Sequence, residues 1–134
     1  MKRRNLIVLA FLLAGCSSKP QNLSALLPGE AGGWIRQQVV AMPRDEAPEA
    51  IRRAGIVQWA SADYSHEGKG RVTVLISEMK GETSAFELQQ KVHEPDSINF
   101  YTGALFVVVK RGTAEPADVR AFARALEASL TAGR

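Results

Sequence analysis

Ile56-Val57-Gln58-Trp59-Ala60-Ser61-Ala62-Asp63-Tyr64 runs through His66-Glu67-Gly68-Lys69-Gly70 into Arg71-Val72-Thr73-Val74-Leu75-Ile76-Ser77-Glu78-Met79. In the first segment Val57 and Trp59 take one side, and Ala60, Ala62 and Tyr64 the other. In the last, Val72, Val74 and Ile76 alternate with Thr73, Leu75 and Ser77. A period of two marks a strand, and a polar turn with two glycines joins the pair into a hairpin. The reading therefore starts from an antiparallel sheet.

Upstream, residues 34–41 alternate in part and read as a first strand. Pro48 suits the first turn of a short helix in which Ile51 and Ala54 face one way and Gly55 supplies the stop. Downstream, Gly81 breaks the strand, and Ser84-Ala85-Phe86-Glu87 has the spacing of a capping box, which predicts a helix starting there. Ala85, Leu88 and Val92 share one helical face, and Pro95 excludes helical backbone at the residue before it. Ile98, Phe100 and Tyr101 precede a bend at Thr102-Gly103, after which residues 104–109 are all apolar. A strand of that kind has both faces covered, which places it at the centre of the sheet. Beyond Pro116, Val119, Phe122, Ala123, Leu126 and Leu130 recur at i, i+3, i+4, i+7 and i+11, and Gly133 suits the stop.

The order is strand, helix, strand, strand, helix, strand or hairpin, helix. It predicts a single α+β domain over residues 25–134, a two-layer antiparallel sheet with helices packed on one face. Without the last helix the order is ferredoxin-like. The alternative is a curved sheet gripping the C-terminal helix. A helix-hairpin unit occurs twice, at 48–79 and 84–111.

The N-terminus carries a different message. Lys2, Arg3 and Arg4 precede an apolar run at 6–13, the pattern of a secretory signal. The run is shorter than the about 20 residues of a membrane span. Leu13-Ala14-Gly15-Cys16 closes it and resembles the lipobox of bacterial lipoproteins. That resemblance implies cleavage of residues 1–15, diacylation of the Cys16 sulfur and N-acylation of the new terminus. It also implies localisation in the cell envelope, where Ser17, in place of the Asp linked to inner-membrane retention, leans towards the outer membrane facing the periplasm. Residues 16–24 then form the acylated cysteine and a polar tether broken by Pro20. Two acyl chains give stable anchoring.

Cleavage changes the electrostatics. The 134-residue chain carries +3 from 17 basic and 14 acidic residues. All of that excess sits in Lys2, Arg3 and Arg4, so the mature 119 residues balance. A neutral domain offers no electrostatic case for nucleic acid or anionic lipid. With Cys16 the only cysteine, no internal disulfide forms, and acylation consumes the thiol. Haem attachment through C-x-x-C-H is excluded as well.

A second resemblance runs through the mature domain. Leu26-Leu27-Pro28, Gly33-Trp34, the strand ending in Tyr64, Ile76-Ser77-Glu78-Met79 and Ala85-Phe86 look like an uncharacterised family of bacterial exported proteins of unknown function. It spans roughly 25–111 and carries no established site residues. Pro48-Glu49-Ala50 stands where that family has an Asn-Gly helix start.

Candidate chemistry is sparse. His93-Glu94-Pro95-Asp96 and His66-Glu67 offer nitrogen and oxygen ligands, but the spacing matches no H-E-x-x-H site. A histidine in the last turn of a helix also has a local role towards the dipole. Ser61, Ser65, Ser77 and Thr102 lack a G-x-S-x-G context. Gly68 and Gly70 around Lys69 make a turn rather than a phosphate loop. Glu78 interrupts an apolar strand, either as an acid-base group or as a strand-end residue reaching solvent. Trp34, Trp59, Tyr64 and Tyr101 are candidates for a ligand cleft or partner surface, though aromatics of this kind are more often core or core-edge. The expectation is thus a lipid-anchored, non-enzymatic accessory or binding module with an envelope protein partner and no cofactor beyond the lipid on Cys16. Its alternatives are a small hydrophobic ligand or lipid carrier, using a groove between sheet and last helix, and a metal-dependent hydrolase using His66, His93, Glu94 and Asp96.

Overall fold

The computed structural model describes residues 21–133. In chain order these form α1 (Leu23–Leu26), β1 (Glu30–Ala31), β2 (Trp34–Met42), a 3-10 turn at Arg44–Glu46, α2 (Glu49–Gly55), β3 (Ile56–His66), β4 (Gly70–Met79), α3 (Glu82–Lys91), β5 (Ser97–Thr102), β6 (Leu105–Lys110) and α4 (Pro116–Ala132). The hairpin of β3 and β4 is the middle of the sheet, paired from Ile56↔Met79 to His66↔Gly70. The six strands lie in the order β1-β2-β3-β4-β6-β5, and every pair is antiparallel.

This is the α+β single domain expected, in the curved form. Helix α4 touches both edge strands, β1 and β5. Six strands spaced about 4.8 Å apart span about 24 Å when flat, whereas a helix with its side chains is about 10 Å across. One helix reaches both edges only because the sheet curls around it as a half-barrel. The chain keeps the ferredoxin-like sequence of elements, but its strands pair as neighbours along the chain, except that β6 sits inside β5.

Two cores result. Ala60, Ala62 and Tyr64 of β3, Val72, Val74 and Ile76 of β4, and Leu105, Val107 and Val109 of β6 face Val119, Phe122, Ala123, Leu126 and Leu130 of α4. On the other side Trp59, Met79, Phe106 and Val108 meet Ile51 of α2 and Ala85 and Leu88 of α3. The helices therefore divide between the two faces of the sheet, which corrects their expected placement on one. The all-apolar run in β6 follows from this division, since its alternate residues serve different cores. Strand β6 is interior but lies one place from the edge, with β3 and β4 at the centre.

Two local boundaries also differ from expectation. Helix α3 starts at Glu82 with Gly81 as its N-cap and no side-chain cap, so Ser84 lies inside the first turn and no capping box forms. The chain turns early because the Lys80 N–H donates to the Gly55 carbonyl at 2.9 Å, fastening the end of β4. At the other end, residues 21–24 are folded rather than tether. Leu23 is buried, and Asn22 caps α1 by accepting from the Ala25 N–H at 3.3 Å. The signal at 1–15, Cys16 and residues 17–20 lie outside the described residues.

The connection from β6 to α4 depends on one glycine. Gly112 has φ +57, and a Cβ there would be driven into the Arg71 carbonyl oxygen. That carbonyl already accepts from the Thr113 N–H at 3.1 Å. Gly112→Ala must therefore either move the loop off β4 or strain its backbone. It is expected to lower unfolding free energy by about 2 kcal/mol or more, measured by urea denaturation. Ala at Gly68, where nothing approaches a Cβ, costs only the positive-φ penalty of about 1 kcal/mol.

Candidate functional site

The concave side of the sheet holds α4 across its strands, and between α4 and the outer strand β5 a groove remains open. Two hollows lie along it. One of about 210 Å³ is floored by Ile98 and Val119 and bounded by Asp96, Arg111, Pro116 and Arg120. The next, about 290 Å³, is floored by Phe100 and Ala123 and bounded by Arg120, Arg124 and Glu127. Ile98 and Arg120 belong to both, so the hollows are continuous.

Secondary structure dictates this arrangement. Ile98 and Phe100 are two apart on β5 and so point to the same side, towards α4. Arg120 and Arg124 are four apart on α4 and so lie one above the other along the groove wall. Among the described residues neither arginine forms an ion pair. At the groove's end Asp96 adopts φ +57, its carbonyl accepts from the Arg111 N–H at 3.0 Å, and its carboxylate lies 3.6 Å from the Arg111 guanidinium. The site thus combines an apolar floor, two unpaired guanidinium groups and a strand edge.

Of the residues singled out from sequence, Asp96 bounds this groove and the others fall elsewhere. His66 ends β3, its ring 5.5 Å edge-on from Trp34 while Nδ1 donates to the Glu67 carbonyl at 2.7 Å. His93 follows α3, and its Nε2 donates to the Gln90 carbonyl at 2.9 Å. Both rings thus have local structural partners. Among the described residues no group of three or more His, Cys, Asp or Glu side chains is placed to hold a metal. The set His66, His93, Glu94 and Asp96 is therefore not assembled.

Trp34, Trp59 and Tyr64 are core side chains. Trp59 Nε1 donates to the Pro43 carbonyl at 2.8 Å, and Tyr64 donates to the Pro28 carbonyl at 2.7 Å. Tyr101 is half-buried and packs edge-on with exposed Phe86, ring centroids 5.5 Å apart. Further hollows of about 340 Å³ between α2 and α3, and about 520 Å³ between α1 and Gly133, are not lined by any of these four aromatics. Ser61 and Ser65 lie on the outer face of β3, and Ser65 Oγ accepts from Gln37 Nε2 at 3.0 Å. Ser77 is buried, and Thr102 sits 3.0 Å from the Thr131 hydroxyl.

Glu78 does not reach solvent as a strand-end residue would; it is 8% exposed. Its carboxylate accepts from Gln58 Nε2 at 3.1 Å and from the Gln21 N–H at 3.3 Å on each oxygen. Gln58 Nε2 also donates to the Gln21 carbonyl. Glu78 is a clasp that fixes where the chain enters the domain.

The chain matches no family model, no curated protein and no solved structure. The resemblances read from its sequence rest on their own residues.

Two outcomes test these assignments. Burial pushes the Tyr64 phenol from 10.0 up to about 12, and the Arg36 charge opposes this by less. The folded state holds that proton more tightly, so the associated stability is complete below pH 10 and is lost as pH rises towards 12. The unfolding free energy should fall across that window by about 2–3 kcal/mol in the wild type, read from urea denaturation. In Tyr64→Phe this fall is absent, and a pH-independent loss of about 1 kcal/mol replaces it. Glu78→Ala should speed amide exchange over residues 21–27 about fivefold, from a lost clasp worth about 1 kcal/mol, while β3 and β4 stay protected.

Proposed function

We propose that this chain is a lipid-anchored protein of the bacterial cell envelope, a non-enzymatic binding module held at a membrane by acyl chains on Cys16. One observation carries the reading: the order of Lys2-Arg3-Arg4, the apolar run at 6–13 and Leu13-Ala14-Gly15-Cys16. Among the described residues no helix is long and apolar enough to cross a membrane, so the lipid would supply the attachment.

The entry point of the chain supports the reading. Gln21, clasped by Glu78, is five residues from Cys16. At about 3.3 Å per residue the reach is about 17 Å, shorter than a tether running to residue 24. Such a leash keeps the end of the sheet bearing Glu78 and Leu105 near the headgroups. The opposite end, with the β3–β4 turn and the start of α4, points towards the aqueous compartment. The proposed location is the outer membrane, facing the periplasm, with an envelope protein as partner.

Metabolic labelling with an alkynyl fatty acid tests the anchor directly. The wild type should carry label and sediment with membranes, and Cys16→Ser should lose both while remaining folded by circular dichroism. Label retained by Cys16→Ser, or unlabelled wild type in the soluble fraction, overturns the anchored reading. Crosslinked pull-downs from the same cells compare the partners of the two forms. Partners lost with the anchor would show that localisation is the main requirement for function.

A further inference from the structure

We infer that the open edge of β5 is a docking site for an extended, acidic segment of a partner protein, which adds to the sheet as a further strand. This deepens the binding-module reading and rests on it, but not on the lipid anchor.

The register of the β5–β6 hairpin identifies the free groups. Thr102↔Leu105 closes the two-residue turn at Gly103-Ala104, and pairing continues through Phe100↔Val107 and Ile98↔Val109. Those residues exchange their backbone bonds with β6, so the N–H and C=O of Ser97, Asn99 and Tyr101 point outward. No backbone bond from these three to a segment outside the sheet is present among the described residues.

The two sheet edges are treated differently. Folded proteins guard a strand edge with charge, proline, a bulge or a covering element. Strand β2 carries a bulge between Arg36 and Val39, is covered at its start by β1 and runs into Pro43. Strand β5, Ser97-Ile98-Asn99-Phe100-Tyr101-Thr102, has no charge, no proline and no break in register. No charge, proline or bulge guards this edge; α3 and the chain after it lie against its outer face, where Asn99 Nδ2 donates to the Val92 carbonyl and Tyr101 packs on Phe86.

The adjoining groove supplies side-chain recognition. In strand addition the main chain provides affinity and pockets for alternate side chains provide specificity. The hollows at Ile98 and Phe100 are two residues apart along β5, about 6.8 Å in strand geometry. That is the spacing of successive same-side residues on an added strand. Arg120 and Arg124, unpaired on the groove wall and outnumbering Glu127 there, then select carboxylates from the incoming segment. The partner segment is one that alternates apolar and acidic residues.

The test uses the full chain in mild detergent and three fluorescent eight-residue probes. One alternates valine with glutamate, one valine with lysine, and the third is the glutamate peptide N-methylated at alternate positions. Anisotropy titrations should show the glutamate peptide binding at least tenfold tighter than the lysine peptide, and the N-methylated peptide losing at least tenfold. Arg120→Glu with Arg124→Glu, both on exposed positions of α4, should reverse the charge preference. Bound peptide should slow amide exchange at Ser97, Asn99 and Tyr101. Equal affinity for the two charges, undiminished binding of the N-methylated peptide, protection of 37–42 instead, or a β5-to-β5 dimer that excludes peptide would each overturn the inference. Failure of every probe to bind a chain that is acylated at Cys16 would sink this docking site and leave the anchored reading standing.

Discussion

The fold depends on Phe122 being held between Trp34 and Tyr64. Its ring lies 5.5 Å from the indole and 4.9 Å from the phenol, tilted against both. Trp34 begins β2 and Tyr64 lies on β3, so one side chain of α4 fastens the helix to two strands well away from β5. Burying a large side chain contributes about 1.5–3 kcal/mol, and aromatic pairs add about 0.5–1.5 kcal/mol through ring geometry. The same cluster holds the start of the domain. Tyr64 donates to the Pro28 carbonyl, and Arg36 on β2 donates to the Ser24 and Leu27 carbonyls at 3.0 and 2.5 Å. The arm comprising α1 and β1 is thus tied to the residues that grip α4.

With α4 seated there, curling the sheet leaves its two edges in unlike surroundings. One edge is finished by β1 and a bulge. The other passes beside α4 with its outer backbone groups unpaired. On the outer face, α2 and α3 cover the end of the sheet around Trp59, Met79 and Phe106. The far half of that face is polar, with Asp63 accepting from the Thr73 hydroxyl at 2.7 Å and Gln37 bonded to Ser65. A half-covered sheet of this kind needs polar residues where no helix lies, which is why β3 alternates cleanly towards His66 and less so near Ile56.

Most elements were legible from sequence because their periodicity was. The 56–79 hairpin, the β5–β6 hairpin with its bend at Gly103 and the α4 stripe all follow from apolar spacing and the glycines that punctuate it. Strand β1 was not legible: two residues give no period, and Glu30-Ala31 pairs only because Gly32 and Gly33, both at positive φ, turn the chain back. The capping-box pattern at Ser84 misled because Lys80 is already fastened to Gly55, a bond across sequence that local spacing cannot report. Glu78 reads from sequence as an acid-base group or a strand end reaching solvent because one of its partners, the Gln21 backbone, has no side-chain signature. The aromatics were legible as aromatics, but only the packing decides that Trp34, Trp59 and Tyr64 are spent in the cores.

A groove between the sheet and the last helix is legible from sequence, but the residues that make it are not, for a more general reason. Arg120 and Arg124 are ordinary residues on the solvated side of an amphipathic helix, and Ser97–Thr102 is an ordinary strand. They become a site only through topology, when β6 rather than β5 takes the place beside β4. That choice follows from composition. Leu105-Phe106-Val107-Val108-Val109 can fill both cores at once, whereas on β5 the alternate positions carry Ser97 and Asn99, with only Tyr101 packed against the second core. The more apolar strand of the hairpin goes inside, and the other is left at the rim against α4. An edge strand whose sequence carries no guard is therefore a by-product of which strand the cores demand, and the arginines of α4 give that edge a preference in charge.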